Sequence, residues 1–201
     1  HLVSQEHLVS QEHLVSQEHF KDENKSLLTE NKLYHEWTIW LHLSHDTNWT
    51  LNSYTKLCKV NTIRMMVMLI KSIECLTKNC MIFIMKEDIL PLWEDKNNNK
   101  GGAISYKISD DNAVRFWYLL LFRIVGRTFF ETLEHCDRIN GVTISPKKSF
   151  HIIKIWMKYG ESIEEIALND DFGILHEGHV YSQFNSDASA LTRLAQQVPD
   201  K

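Results

Sequence analysis

The stretch Ala103-Ile104-Ser105-Tyr106-Lys107-Ile108-Ser109-Asp110-Asp111-Asn112-Ala113-Val114-Arg115-Phe116-Trp117-Tyr118-Leu119-Leu120-Leu121-Phe122-Arg123-Ile124-Val125-Gly126 changes its hydrophobic period part-way along. Residues 103–108 read as a short β-type run. In residues 113–125, Trp117, Leu120, Leu121 and Ile124 fall on one helical face. Asp110, Asp111 and Asn112 stand where short polar side chains cap a helix, and Gly126 stands where one closes. A strand that runs straight into a capped amphipathic helix is a unit of a mixed fold.

The same alternation of types extends in both directions. β-type runs occur at Tyr34 to Leu43, Tyr54 to Val60, Met81 to Met85, Gly141 to Ser145, Phe150 to Met157 and Ile174 to Phe184. Residues 62–77 hold a second helical pattern, with Met66, Leu69, Ile70 and Ile73 on one face, and a weaker helix is expected from Ser162 to Leu168. Many strands with few helical crossovers predict an α+β domain, its helices on one face of a mainly antiparallel sheet. The other face stays open to solvent or ligand.

Residues 1–18 are three copies of His-Leu-Val-Ser-Gln-Glu, a period too short for a packed solenoid repeat. Residues 20 to 32 are charged and polar, so 1–32 reads as a low-complexity tail and 33–201 as a single domain. Hydrophobic residues make up 43% of the 201 and charged residues 24%, as in an ordinary globular protein. A net charge of -4 leaves no overall basic field, so any nucleic-acid contact must be local. The longest apolar runs, Met65 to Ile70 and Phe116 to Phe122, fall far short of the roughly 18 to 20 residues that span a bilayer. Cys58, Cys75, Cys80 and Cys136 lack both paired spacing and the density of a disulfide scaffold, which predicts reduced thiols and a cytoplasmic protein. Two glycosylation sequons, at Asn24 and Asn48, are read as chance matches.

Six tryptophans stand in the segments Trp37-Thr38-Ile39-Trp40, Thr47-Asn48-Trp49, Pro91-Leu92-Trp93-Glu94-Asp95, Arg115-Phe116-Trp117 and Ile153-Lys154-Ile155-Trp156. In this order, with Lys100-Gly101-Gly102 following the third segment, the chain resembles the cap-binding eukaryotic translation initiation factor 4E family from about Leu33 to Trp156. The resemblance implies a curved, mainly antiparallel sheet with about three helices on its convex back and a ligand pocket on its concave side. It implies that Trp49 and Trp93 sandwich a 7-methylguanine ring, that Glu94 accepts from the N1 and N2 edge, and that Trp156 lies against the N7 methyl group. The family role is to bind the mRNA 5′ cap for translation initiation, with no catalytic residue, metal or cofactor.

Those residue types suit that ligand. Methylation at N7 makes the guanine a cation, so two indole faces add a cation–π attraction to ordinary stacking, itself worth roughly 1 to 3 kcal/mol per base. A carboxylate opposite N1 and N2 accepts two hydrogen bonds of ~1.5 to 3 kcal/mol each. A tryptophan in a β-rich domain is more often core than platform. Trp37, Trp40 and Trp117 are read as core, whereas Trp49 and Trp93 sit in polar, turn-like contexts that suit binding.

The cap triphosphate needs cations. Lys147, with Lys148 beside it, falls where the family has a phosphate-binding arginine; the second family cation falls on Ile152, and the basic residue that often follows the Gly-Gly pair falls on Ala103. His151 or Lys154 are candidate replacements, of which Lys154 shares the strand face of Ile152 and His151 does not. Arg193, on the C-terminal segment, is a further candidate. The plain alternative for Lys147 and Lys148 is a solvated turn after Pro146.

The family also docks a Tyr-x-x-x-x-Leu helix of a scaffold or repressor protein on its convex side. Its tryptophan there is replaced by Val67. Val67, Met68 and Cys75 point away from the core face of the first helix, and Leu119 and Phe122 do so on the second. Tyr118 and Leu119 replace a leucine and an acidic residue, and Gly126 keeps a family glycine. Val67, Met68, Tyr118, Leu119, Phe122 and Gly126 therefore mark an altered partner surface on an expected monomer, its capped RNA on the opposite face. The replaced tryptophan also admits a cap-sequestering repressor. His176-Glu177-Gly178-His179, and His42 with His45 and Asp46, prompt a third reading, a metal-dependent hydrolase. Zincins need histidines four apart on a helix, and here the spacing is three, around a glycine.

Overall fold

Twelve residues at Lys32–Leu43 form strand β1, because Trp37 and Ile39 on one side and Thr38 and Trp40 on the other all find cover. The structure, a computed structural model, describes residues 31–159 and the backbone of residues 179–183. Strands β2 (Tyr54–Thr62), β3 (Cys80–Lys86), β4 (Gly102–Ser109), β5 (Ile139–Pro146), β6 (Phe150–Met157) and β7 (His179–Gln183) join β1 in one curved antiparallel sheet of order β2-β1-β3-β5-β6-β4-β7. The run expected from Ile174 to Phe184 contributes only its middle among the described residues, paired with β4.

Two long helices, α1 (Ile63–Ile73) and α2 (Asp110–Val125), cover one face of this sheet. Their apolar stripes meet Trp37 and Ile39, Ile82 and Ile84, Val142 and Ile144, and Ile153 and Ile155, the alternate residues of four strands. A short helix α3 (Leu133–Asp137) was not foreseen, since five residues carry too little periodicity to show. The weak helix expected at Ser162 to Leu168 lies outside the described residues, as does the tail up to residue 30.

Gly126 closes α2 as expected, and the start of the helix differs from expectation. Its N-cap is Ser109, and Asp110 and Asp111 lie within the first turn, where carboxylates face the exposed N–H groups; Asn112 Nδ2 reaches back to Ser109 Oγ at 3.3 Å. At the other end Gly126 remains right-handed (φ -82), and Arg127 takes the left-handed conformation (φ 56). That strain, about 1 kcal/mol, is offset by the two bonds Arg127 donates to Asp137, at 2.9 and 2.7 Å, and by its stacking over Tyr34. What demands glycine at 126 is space: a Cβ would lie 2.9 Å from the Phe122 carbonyl oxygen.

Odd spacing separates the tryptophans of β1. Trp37 is 1% exposed beneath the helices, whereas Trp40 (8%) joins Phe83, Met85 and Trp156 in a second cluster. Both are packed, as expected, but Trp40 belongs to the open face. Trp117 is fully buried in the helix-side core.

Candidate functional site

Alternation along β3, β5 and β6 delivers Met81 and Phe83, Thr143 and Ser145, and Ile152, Lys154 and Trp156 to the open face. There they line a cavity of about 580 Å³ together with Trp49, Tyr54, Pro91, Leu92, Trp93, Glu94 and Lys147. Trp49, Trp93, Glu94, Trp156, Lys147 and Lys154, scattered over more than 100 residues of sequence, thus share one cleft. Lys148 is exposed and lies off the cavity wall, because it follows Lys147 on the turn and turns outward. Ala103 is buried at the β4–β6 pairing and supplies no cation. Arg193 falls outside the described residues.

Trp93 and Glu94 ride on a loop fastened by its own polar side chains. Asp95 accepts from the backbone N–H of Leu90 (3.1 Å) and Asn97 (2.8 Å). Asn98, fully buried, donates to the carbonyls of Leu90 (3.0 Å) and Leu92 (2.7 Å). Asn140 then ties Asn97 and Asn98 to β5. The loop ends at Gly101, where a Cβ would stand 1.8 Å from the Met157 carbonyl oxygen, so only glycine fits. This clamp leaves Trp93 45% exposed yet fixed at its base.

Trp49 reaches the same cleft from the loop after β1 and is 50% exposed. His42 lies parallel to it, with ring centroids 4.4 Å apart and an interplanar angle of 4°. From His42 the aromatic contacts continue through Tyr54 and Phe83 to Trp156, so the cleft has a continuous aromatic floor. Trp156 is itself oriented by the bond its Nε1–H donates to Thr143 Oγ1, 2.7 Å.

The cleft carries charge of both signs, Glu94 with Lys147 and Lys154. Burial pushes the Tyr54 phenol up to about 12, and the nearby Glu94 carboxylate adds to the rise. Glu94 is exposed, and no described side chain donates a hydrogen bond to it. Burial holds the Lys154 ammonium below the usual lysine range, and the neighbouring Lys147 adds to the effect. Neither lysine has an ion pair among the described residues. His151 stays on the helix side, its Nε2 at 3.1 Å from the Thr77 carbonyl oxygen and its Nδ1 at 2.8 Å from Asp110. It is no substitute for the missing family cation.

His42, placed in a metal cluster by sequence reading, serves Trp49 instead. Asp46 accepts from the Asn48 N–H, an Asx turn shaping the same loop. His176 and the side chain of His179 lie outside the described residues. The cavity residues that sequence reading missed, Tyr54, Met81, Phe83, Thr143 and Ser145, carry no unusual chemistry; only their strand alternation marks them.

On the helix side a groove of about 370 Å³ runs between the start of β1, the start of α1 and the end of α2, lined by Leu33, Ile63, Met66, Phe122, Gly126 and Leu133 among others. Met68 is 60% exposed, Leu119 37% and Phe122 39%, while Val67 is half-buried. Tyr118 is not free as expected. Its hydroxyl donates to Glu74 and its ring packs against the core, because it faces the space between α2 and the end of α1.

Two half-exposed indoles over an aromatic floor, with a carboxylate that has no hydrogen-bond partner among the described residues and two lysines in the same cavity, suit a flat, electron-poor ring that carries anionic groups. The pattern of the Eukaryotic initiation factor 4E family matches residues 32–179, and the chain belongs to that family. It is 27% identical over 154 residues to the eukaryotic translation initiation factor 4E homolog of Acanthamoeba polyphaga mimivirus, covering 63% of this chain and 56% of that protein. With Homo sapiens eukaryotic translation initiation factor 4E type 1B the identity is 23% over 158 residues, 75% of this chain and 61% of that one. The chain thus spans about three fifths of the length of these curated relatives. Among solved structures, C. elegans eIF4E-3 in complex with the 4E-binding protein Mextli and a cap analog matches with a TM-score of 0.62 and 20% identity, covering 85% of this chain and 98% of that one. Ascaris suum eIF4E-3 with the m7G cap gives a TM-score of 0.58 at 20% identity, covering 67% and 77%.

Proposed function

We infer that the cleft binds the 7-methylguanosine cap of messenger RNA, the base between Trp49 and Trp93 and its N1/N2 edge on Glu94. The observation that carries this reading is the placing of both indoles, Glu94 and Trp156 around one cavity. Solved relatives bound to the m7G cap support it. Catalysis is not part of the reading. Retention on a cap-analogue resin, with elution by 7-methyl-GTP and not by GTP, is the direct test; failure to bind, or equal elution by both, overturns it.

Lys147 and Lys154 would take the phosphates. Lys154 stands on β6 two residues from Ile152 and on the same face, so the second cation is rebuilt one step along the strand. Phosphate favours the charged ammonium and raises its pKa in the complex. Affinity is therefore full at pH below the lowered value of the free protein and is lost as pH rises through it. Titrating 7-methyl-GTP from neutral to alkaline pH should show this loss in the wild type and a flatter profile in Lys154→Arg. Identical profiles would remove Lys154 from the phosphate site.

The helix side would take an apolar partner helix along Val67, Met68, Leu119 and Phe122, of which Phe122 also lines the groove; solved relatives in complex with 4E-binding proteins support a protein partner. Because Val67 and Leu119 replace a tryptophan and an acid of the family pattern, a standard Tyr-x-x-x-x-Leu peptide should bind at least about tenfold more weakly than to a family member that keeps both. Calorimetry measures this, and equal affinity refutes the altered pocket. Val67, in place of the family tryptophan, is also the observation behind a second reading, a cap-sequestering repressor.

A further inference from the structure

The residue behind Trp49 has chemistry of its own. His42 is 1% exposed on β1, flanked in register by Tyr54 of β2 and Met81 of β3, both of which line the cavity. His42 itself does not line it, because the Trp49 indole covers it. One indole face rests flat on the imidazole and the other is left free.

His42 also holds the backbone that carries this indole. Its Nε2 lies 2.8 Å from the main-chain oxygen of Asn48, the residue before Trp49, so Nε2 carries the proton and donates. The same oxygen accepts from Ser53 Oγ at 2.6 Å. His42 Nδ1 is buried without a hydrogen-bond partner among the described residues. A buried imidazole with one unmet nitrogen is a costly choice for a packing role that phenylalanine or leucine fills without penalty. What the imidazole adds over either is a flat ring and a donor at the same position, one for the indole and one for its backbone.

We propose that His42 is a positioning residue for ligand binding, holding Trp49 in its ring-accepting pose from behind by a stack and a hydrogen bond. This rests on the cap-binding reading above. A tryptophan on a ten-residue connection, open on one face, otherwise samples several rotamers, and each bound ligand must first restrict them. With His42 in place that restriction precedes the ligand. Tyr54 of β2 meets the imidazole with ring centroids 4.7 Å apart, and Asp46 lies in the loop that carries Trp49.

The test is calorimetric titration of the full chain with 7-methyl-GTP, in the wild type and in His42→Ala, His42→Gln and His42→Phe, with near-ultraviolet circular dichroism to follow the order of the tryptophan. Removing the stack in His42→Ala should weaken binding roughly three- to tenfold and flatten the indole signal, the size expected of one aromatic pair. His42→Phe, which restores a flat ring but no donor, should recover most of the affinity and stay about twofold below the wild type, whereas His42→Gln, which restores only a donor, should recover less. If His42→Ala does not fold, the contrast between Phe and Gln decides. Unchanged or tighter binding in His42→Ala, or equal losses in Phe and Gln, overturns the proposal. A wild type that binds no 7-methyl-GTP overturns the cap-binding reading, and the proposal with it.

Discussion

Replacing Trp93 by leucine should abolish retention on cap resin while leaving the fold intact. The indole is 45% exposed and belongs to neither buried cluster, so its removal opens no cavity in the core. Its loop is held by Asp95, Asn98 and Asn140 through bonds in which the indole has no share. What leucine forfeits is one face of the base sandwich. Stacking of roughly 1 to 3 kcal/mol, with the cation–π attraction of a methylated base added, amounts to about a hundredfold in affinity. Thermal melting and calorimetry with 7-methyl-GTP separate the two effects. Near-native affinity in a folded Trp93→Leu protein would dismantle the pocket assignment.

Glu94→Gln is expected to act differently, on discrimination as well as on strength. The guanine edge offers N1–H and N2–H as donors, and a carboxylate accepts both while opposing the positive charge of the methylated ring. A carboxamide presents one acceptor and one donor, and the donor meets the base edge head-on. Loss of a charged acceptor costs about 1.5 to 3 kcal/mol, or roughly ten- to a hundredfold, and the loss should be larger for 7-methyl-GTP than for GTP. Measuring both ligands against wild type and variant gives the ratio directly. An unchanged ratio would show that Glu94 does not read the base.

Much of this cleft was legible because a strand reports its own faces. Lys154 and Ile152 share a side and His151 does not, a distinction the spacing alone makes and the contacts of His151 with Thr77 and Asp110 explain. The same rule was available for Trp37 and Trp40, three residues apart and hence on opposite faces, though both read simply as core. Features built by chain return were not legible. His42 meets Trp49 only because the connection folds back over β1, and in the sequence its neighbours His45 and Asp46 suggested a metal instead. Tyr118 looked like a surface residue until the end of α1 brought Glu74 to its hydroxyl. At the end of α2, Gly126 closes the helix as the sequence suggested, but the left-handed residue is its neighbour Arg127, which nothing in the sequence marked and whose bonds to Asp137 meet its strain.

The two walls of the cleft are mounted differently, and that difference has a kinetic meaning. Trp93 stands on a loop riveted by four side-chain to main-chain bonds from Asp95 and Asn98. Trp49 stands on a connection whose local bonds, from Asp46, Asn48 and Ser53, join residues at most five apart, and beside the indole its tie to the sheet is His42, through the stack and the bond to the Asn48 oxygen. Short-range ties of that kind open without disturbing the sheet, on the nanosecond-to-microsecond scale of loops. His42 is the latch on the Trp49 side, so without it that side becomes the door and the Trp93 side the frame. Residence time of a bound ring follows how often the door swings, so changes in the 44–53 segment should alter the off-rate at a nearly constant on-rate.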